Sequence, residues 1–185
     1  MKTTILFSSL LIFFLSFTLQ GQSLMGLDKS PLDISYYPHN FAHDRKEGQN
    51  ALVRIIYSRP NRNGRQLFGG IVPYGKVWRT GANEATEIQF YSDAVIEGQK
   101  IKKGSYSLFT IPEKGKWTII LNSDLDYWGA YNYNQKNDVL RITVPSEESK
   151  TEVENFTIQF AGEEKDKASM LMAWGNTIVK VPIQF

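Results

Sequence analysis

The chain has 185 residues, no cysteine and a formal charge of +2. That charge is far from the basic excess that phosphate-backbone binding requires, so nucleic acid is not an expected partner. Without cysteine there is no disulfide framework, no lipidated cysteine and no thiolate metal site, and the fold has to stand on its core. The length suits one domain of ordinary size.

The N-terminus, MKTTILFSSLLIFFLSFTLQGQS, carries one Lys, an apolar run from Ile5 to Leu19, and small or polar residues around Gly21 and Gln22. This is the pattern of a secretory signal peptide over residues 1–22. The run is short for a spanning helix, which needs about 20 apolar residues, and no second apolar run follows. The expectation is an exported protein, periplasmic or secreted, with no membrane span after cleavage near Gln20 to Gln22; an uncleaved anchor is the alternative. Cleavage after Gln22 removes Lys2 and lowers the formal charge from +2 to +1.

Residues 23–50 form an irregular N-terminal arm, rich in turn formers and without a sustained period, with room for one edge strand. A single β domain is expected over 51–185. It opens on ALVRIIYS, Ala51 to Ser58, a β-branched strand with Arg54 inside it. The next stretch, Ser58 to Thr86, holds Arg59, Arg62, Arg65 and Arg79 together with five glycines, which marks an ordered loop with tight turns and close backbone approaches. Thr86 to Tyr91 alternates as a strand should. Ala94 to Ile96 and Gln99 to Ile101 form a hairpin around Glu97-Gly98, and Ser105 to Ile111 with Lys116 to Leu121 form another around Pro112 to Gly115. Asn122 to Asp138 is a long non-periodic loop thick with Tyr, Trp and Asn, too aromatic for disorder. Val139 to Val144 and Phe156 to Phe160 alternate on either side of an acidic break at Pro145 to Thr151, and Ala168 to Trp174 and Thr177 to Phe185 flank a Gly175-Asn176 turn. About ten short strands at this spacing indicate an all-β fold, an antiparallel β-sandwich or a flattened barrel.

Several runs along this chain, namely SRP, FGGIVPYGKVWRTGANEAT, GSYSLFTIP, DYWGAY and DVLR, resemble the domain of unknown function 2911 family of exported Gram-negative bacterial proteins. The likeness spans about Ala51 to the C-terminus. It implies a signal peptide and a single β-rich domain, and it carries no established activity or catalytic residue.

Two loops hold the candidate ligand-binding residues: Arg59, Arg65, Trp78, Arg79, Asn83 and Glu84 in the first, Trp128 and Tyr131 in the second. In the first, Arg79 clamps an anionic group and Glu84 acts as acid or base beside Asn83; alternatively Arg79 and Glu84 satisfy each other across a turn at Gly81 while Trp78 plugs the core. In the second, aromatic faces beside amides suit sugar rings, or they cap one end of the sandwich. His39 and His43 have the i, i+4 spacing of a metal pair but lie in the irregular arm. Asp124 and Asp126 lack the glycine and distal Glu of a calcium loop. No metal and no cofactor is expected, and nucleophile and phosphate-loop motifs are absent as well. Glu84 and Glu87 suit a glycosidase pair only if the chain turns between them, because a strand would set them on opposite faces. The leading expectation is a non-catalytic module for a small polar or sugar-like ligand; the alternatives are a hydrolase acting on glycans and a structural envelope component.

Overall fold

The computed structural model describes residues 24–164 and 166–185; the expected signal peptide lies outside them. Nine strands make one antiparallel sheet in the order β1-β2-β3-β6-β7-β8-β9-β4-β5, and the sheet is not closed. They are β1 (Leu32–Tyr37), β2 (Val53–Ser58), β3 (Thr86–Phe90), β4 (Ala94–Ile96), β5 (Gln99–Ile101), β6 (Gly104–Glu113), β7 (Lys116–Asn122), β8 (Asp138–Glu164) and β9 (Lys167–Gln184). One short helix, α1 (Phe41–Asp44), follows β1. Among the described residues no helix is long and apolar enough to cross a membrane.

Strict alternation sets the two faces of the first half of the sheet. Val53, Ile55 and Tyr57 in β2, and Thr86, Ile88 and Phe90 in β3, are buried. Their neighbours Ile56 and Glu87 lie opposite each other on the outer face, and Glu87 in turn lies opposite Ser107 of β6. β1 adds an edge strand from within the N-terminal arm, pairing Leu32 with Ser58 and Tyr37 with Val53.

The C-terminal half departs from the alternation read in the sequence. Pro145 to Thr151 is not a break and Gly175-Asn176 is not a hairpin turn, because both lie within long strands. β8 pairs with β7 up to Pro145, opposite Lys116, and from Ser146 onwards it pairs with β9 instead. Pro145 therefore sits where the strand exchanges partners, a place where a missing N–H is tolerated. Register shifts between Glu148 and Val153 and between Val153 and Thr157 let β8 bulge, with Gly175 at φ 56° opposite Val153. Bulges of this kind bend a strand and sharpen its twist, and here they turn the second half of the sheet over the first.

The face between the two halves is filled by aromatic rings. Tyr57 of β2 meets Phe156 of β8 edge-on at 6.0 Å between centroids. Trp78, from the loop between β2 and β3, stacks on Trp174 at 5.9 Å and packs edge-on against Phe156 at 5.1 Å and Trp117 at 6.0 Å. Phe68 of the same loop reaches Trp117 at 4.9 Å. A buried aromatic of this kind carries both its transfer free energy and specific ring contacts. Trp78→Ala is expected to cost about 3–5 kcal/mol, read as a fall in the urea midpoint with an unchanged slope, whereas Tyr131→Ala, at a ring 82% exposed, leaves the midpoint within about 0.5 kcal/mol of the parent.

Candidate functional site

The loop between β2 and β3 is held by its own polar side chains. Arg59 donates from Nη1 to Asp33 Oδ2 at 2.9 Å, from Nη2 to Thr157 Oγ1 at 2.9 Å and from Nε to the Phe156 carbonyl at 3.2 Å, so it fastens β1 and β8 together. Arg62 pairs with Glu152 of β8. Arg65 donates from Nε to the Arg62 carbonyl at 2.9 Å and from Nη2 to the carbonyl of Asn61. The guanidinium groups of Arg59 and Arg65 are thus engaged by the protein itself. Trp78 is 8% exposed, with its ring in the core.

The expected pairing of Arg79 with Glu84 is absent: no ion pair joins them, and Arg79 Nε is buried without a partner. Backbone and hydroxyl contacts close the turn instead. Trp78 Nε1 donates to the Gly81 carbonyl at 3.0 Å, Thr86 N to the Arg79 carbonyl at 3.1 Å, and Thr86 Oγ1 to the Thr80 carbonyl at 2.7 Å. Thr80 and Asn83 both take left-handed backbone, at φ 55° and 58°, so the chain turns twice and carries Glu84 outward to an exposed position. A side chain on Gly81 would put its Cβ 3.1 Å from the Ser58 carbonyl oxygen, a tight approach that the backbone of β2 would have to yield to accommodate.

The aromatic loop after β7 folds back over the outer face of the sheet. The ring of Phe109 lies between those of Tyr127 and Tyr133, at 5.6 and 5.2 Å. Beneath them Asp138, whose side chain is 8% exposed, accepts from Asn122 Nδ2 at 2.9 Å, Tyr133 OH at 2.6 Å and Arg141 Nε at 3.1 Å. Burial, followed by the hydrogen bond and charge of Asp138, pushes the Tyr133 phenol up to about 12, against the opposing pull of Arg141. Asp124, weighed in the sequence as a calcium ligand, accepts from Tyr127 OH at 2.8 Å and from Asn137. In the arm, His43 Nδ1 lies 2.6 Å from Asp44 Oδ1.

The two loops meet. Ala85 N donates to the Tyr127 carbonyl at 2.9 Å, Gly129 N donates to the Asn83 carbonyl at 2.9 Å, and Glu84 and Trp128 form an antiparallel bridge. Trp128 is left 61% exposed, with Tyr131 close by in sequence. Beside this junction, on the outer face, opens a pocket of about 270 Å³. Its carboxylates are Glu84, Glu87 and Asp126, and Leu32, Ile56 and Leu125 give it apolar surface. Because β3 begins only at Thr86, Glu84 lies in the turn, and both Glu84 and Glu87 line the pocket. Of the residues expected to bind ligand, Glu84 alone lines it. Trp128 and Asn83 belong to the junction at its rim. Ser58, which also lines the pocket, escaped the sequence reading, although the alternation of ALVRIIYS sets it on the same face as Ile56.

Residues 38–183 match the model of a family described as protein of unknown function (DUF2911). The chain belongs to that family. No curated protein and no solved structure matches it. The matched span of this DUF2911 member begins just after β1 and takes in both loops.

Three outcomes test this construction. Since Arg79 and Glu84 do not pair, a double-mutant cycle of Arg79→Ala and Glu84→Ala has a coupling energy within about 0.5 kcal/mol of zero, and Glu84→Ala alone costs under about 1 kcal/mol. Asp138→Ala strands three donors and costs about 3 kcal/mol. The Tyr133 phenol holds its proton more tightly folded than unfolded, so its contribution is fully present below pH ~10 and is lost as pH rises towards about 12. Denaturation midpoints across that window therefore fall, and they fall less steeply in Tyr133→Phe.

Proposed function

We propose that this chain is an exported, non-catalytic module that binds a small polar, carbohydrate-like ligand in the pocket between the two loops. The observation that carries the reading is the backbone pairing of Asn83–Ala85 with Tyr127–Gly129, which joins the two ligand-candidate loops beside an open concavity. Sugars present hydroxyl donors around an apolar ring face. The pocket offers carboxylate acceptors over apolar Leu32, Ile56 and Leu125, and the exposed ring of Trp128, whose backbone bridges to Glu84 of the lining, offers stacking surface beside it. Export rests on the N-terminal apolar run of the sequence, with residues 51–185 supplying most of the binding domain and the arm of 23–50 adding Leu32 of β1 to the pocket.

Thermal melts and calorimetry against a panel of mono- and disaccharides test the proposal. A ligand supplied at 100 times its Kd stabilises by about 2.7 kcal/mol, which for a domain of this size raises Tm by about 5–10 °C. Glu84→Gln and Trp128→Ala are expected to abolish that rise while leaving the ligand-free Tm unchanged. A folded chain that shifts with no sugar overturns the proposal.

A further inference from the structure

Three carboxylates line the pocket, and among the described residues none of them has a cation. Among the described residues every ion pair lies elsewhere, and Glu84, Glu87 and Asp126 take part in none. Glu87 accepts one hydrogen bond, from Ser105 Oγ at 3.2 Å. Among the described residues the carboxylates of Glu84 and Asp126 accept from no side chain. Like charges gathered around one concavity repel, and the low-dielectric protein beneath them focuses their field into it.

A second observation comes from the floor. Ser58 is 2% exposed, lines the pocket, and its Oγ is buried without a hydrogen-bond partner. Tyr57 packs its ring into the core, so the alternation of β2 aims Ser58 outward, beside Ile56 and level with Leu32 of β1. Buried hydroxyls are ordinarily paired, since a buried one without a partner has given up the bonds it made in water. Here the hydroxyl stands under an acidic pocket with its bonding capacity free. The neighbouring hydroxyl, Ser107, is already committed to the Asp124 carbonyl at 2.7 Å.

From the unpaired carboxylates and the unpartnered Ser58 hydroxyl together, we infer that the pocket takes a ligand bearing a free ammonium group, within the carbohydrate-like class an amino sugar. The inference rests on the binding role proposed above and narrows it. The ammonium neutralises the carboxylates and supplies the N–H donors they lack, the Ser58 hydroxyl takes one polar group of the ligand, and Leu32, Ile56 and Leu125 lie against its apolar ring face. A neutral sugar leaves the charge uncompensated, and an anionic sugar is repelled.

Calorimetric titration of the full chain with glucosamine, N-acetylglucosamine, glucose and glucuronic acid, at mildly acidic pH where the glucosamine amine is protonated, tests it. Glucosamine is expected to bind at least tenfold more tightly than the N-acetyl form or glucose, and glucuronic acid not at all. Its affinity should fall severalfold between low salt and about 0.5 M salt, as screening of partly exposed charges requires. Asp126→Asn and Glu87→Gln should each weaken glucosamine about tenfold and bring it towards the N-acetyl form; Ser58→Ala, with its Tm checked, should weaken it without changing that preference. Equal binding of glucosamine and its N-acetyl form overturns the ammonium inference and leaves the carbohydrate reading standing. Binding of none of the four overturns both.

Discussion

The packing of Trp78 between Trp174, Phe156, Trp117 and Phe68 is the contact on which the rest of the molecule depends. Its ring lies where the two halves of the sheet close on each other, so burying it both completes the core and fixes the loop that carries it. Its indole N–H, donated to the Gly81 carbonyl, passes that restraint on to the turn. Thr80 at a left-handed φ is an uncomfortable choice for a β-branched residue, and it is held there by the hydroxyl contacts of Thr110 and Thr86. Apolar burial in the interior thereby determines where Glu84 emerges at the surface.

The opposite wall of the pocket is fastened by a different kind of interaction. Asp138 gathers an amide, a phenol and a guanidinium under the aromatic loop, and the Phe109 ring supports Tyr127 and Tyr133 from below. One wall is thus secured by dispersion and area, the other by charge-assisted hydrogen bonds. Both anchors are internal, and Glu84 and Trp128 join the loops through their backbones alone, which leaves the side chains of Glu84, Asp126 and Trp128 turned to the surface. A site whose walls are already ordered loses little conformational freedom when it is filled.

The sequence made the strand composition legible where alternation is clean, as in ALVRIIYS and SYSLFTI, and it made the two loops legible through their Gly, Arg and aromatic content. It misled where local signals and long-range pairing disagree. Gly175-Asn176 has the chemistry of a tight turn, yet it lies across from a bulge in β8, because the partner strand supplies pairing that no local window shows. Pro145 looks like a terminator and instead marks the exchange of partners. Within the site, Arg59 and Arg65 read as ligand clamps because a guanidinium is a versatile donor; their carboxylate, hydroxyl and carbonyl acceptors come from Asp33, Thr157, Phe156, Asn61 and Arg62, most of them remote in sequence. Ser58 gave no signal beyond its place in the alternation, since an unpaired hydroxyl is a property of its surroundings.

β8 belongs to both halves of the structure: its first stretch is an interior strand of one layer, and its second is paired to β9 in the other. Neither layer has a seam along which it can detach while the other stays whole, because separating them bares the apolar face of a strand both of them share. Partial opening is therefore heavily penalised, and the molecule is built to lose its structure in one cooperative step. The same continuity ties the bulged corner near Gly175 mechanically to the Asp138 end of the strand, so the floor of the aromatic loop inherits its stiffness from packing at the far side of the sandwich.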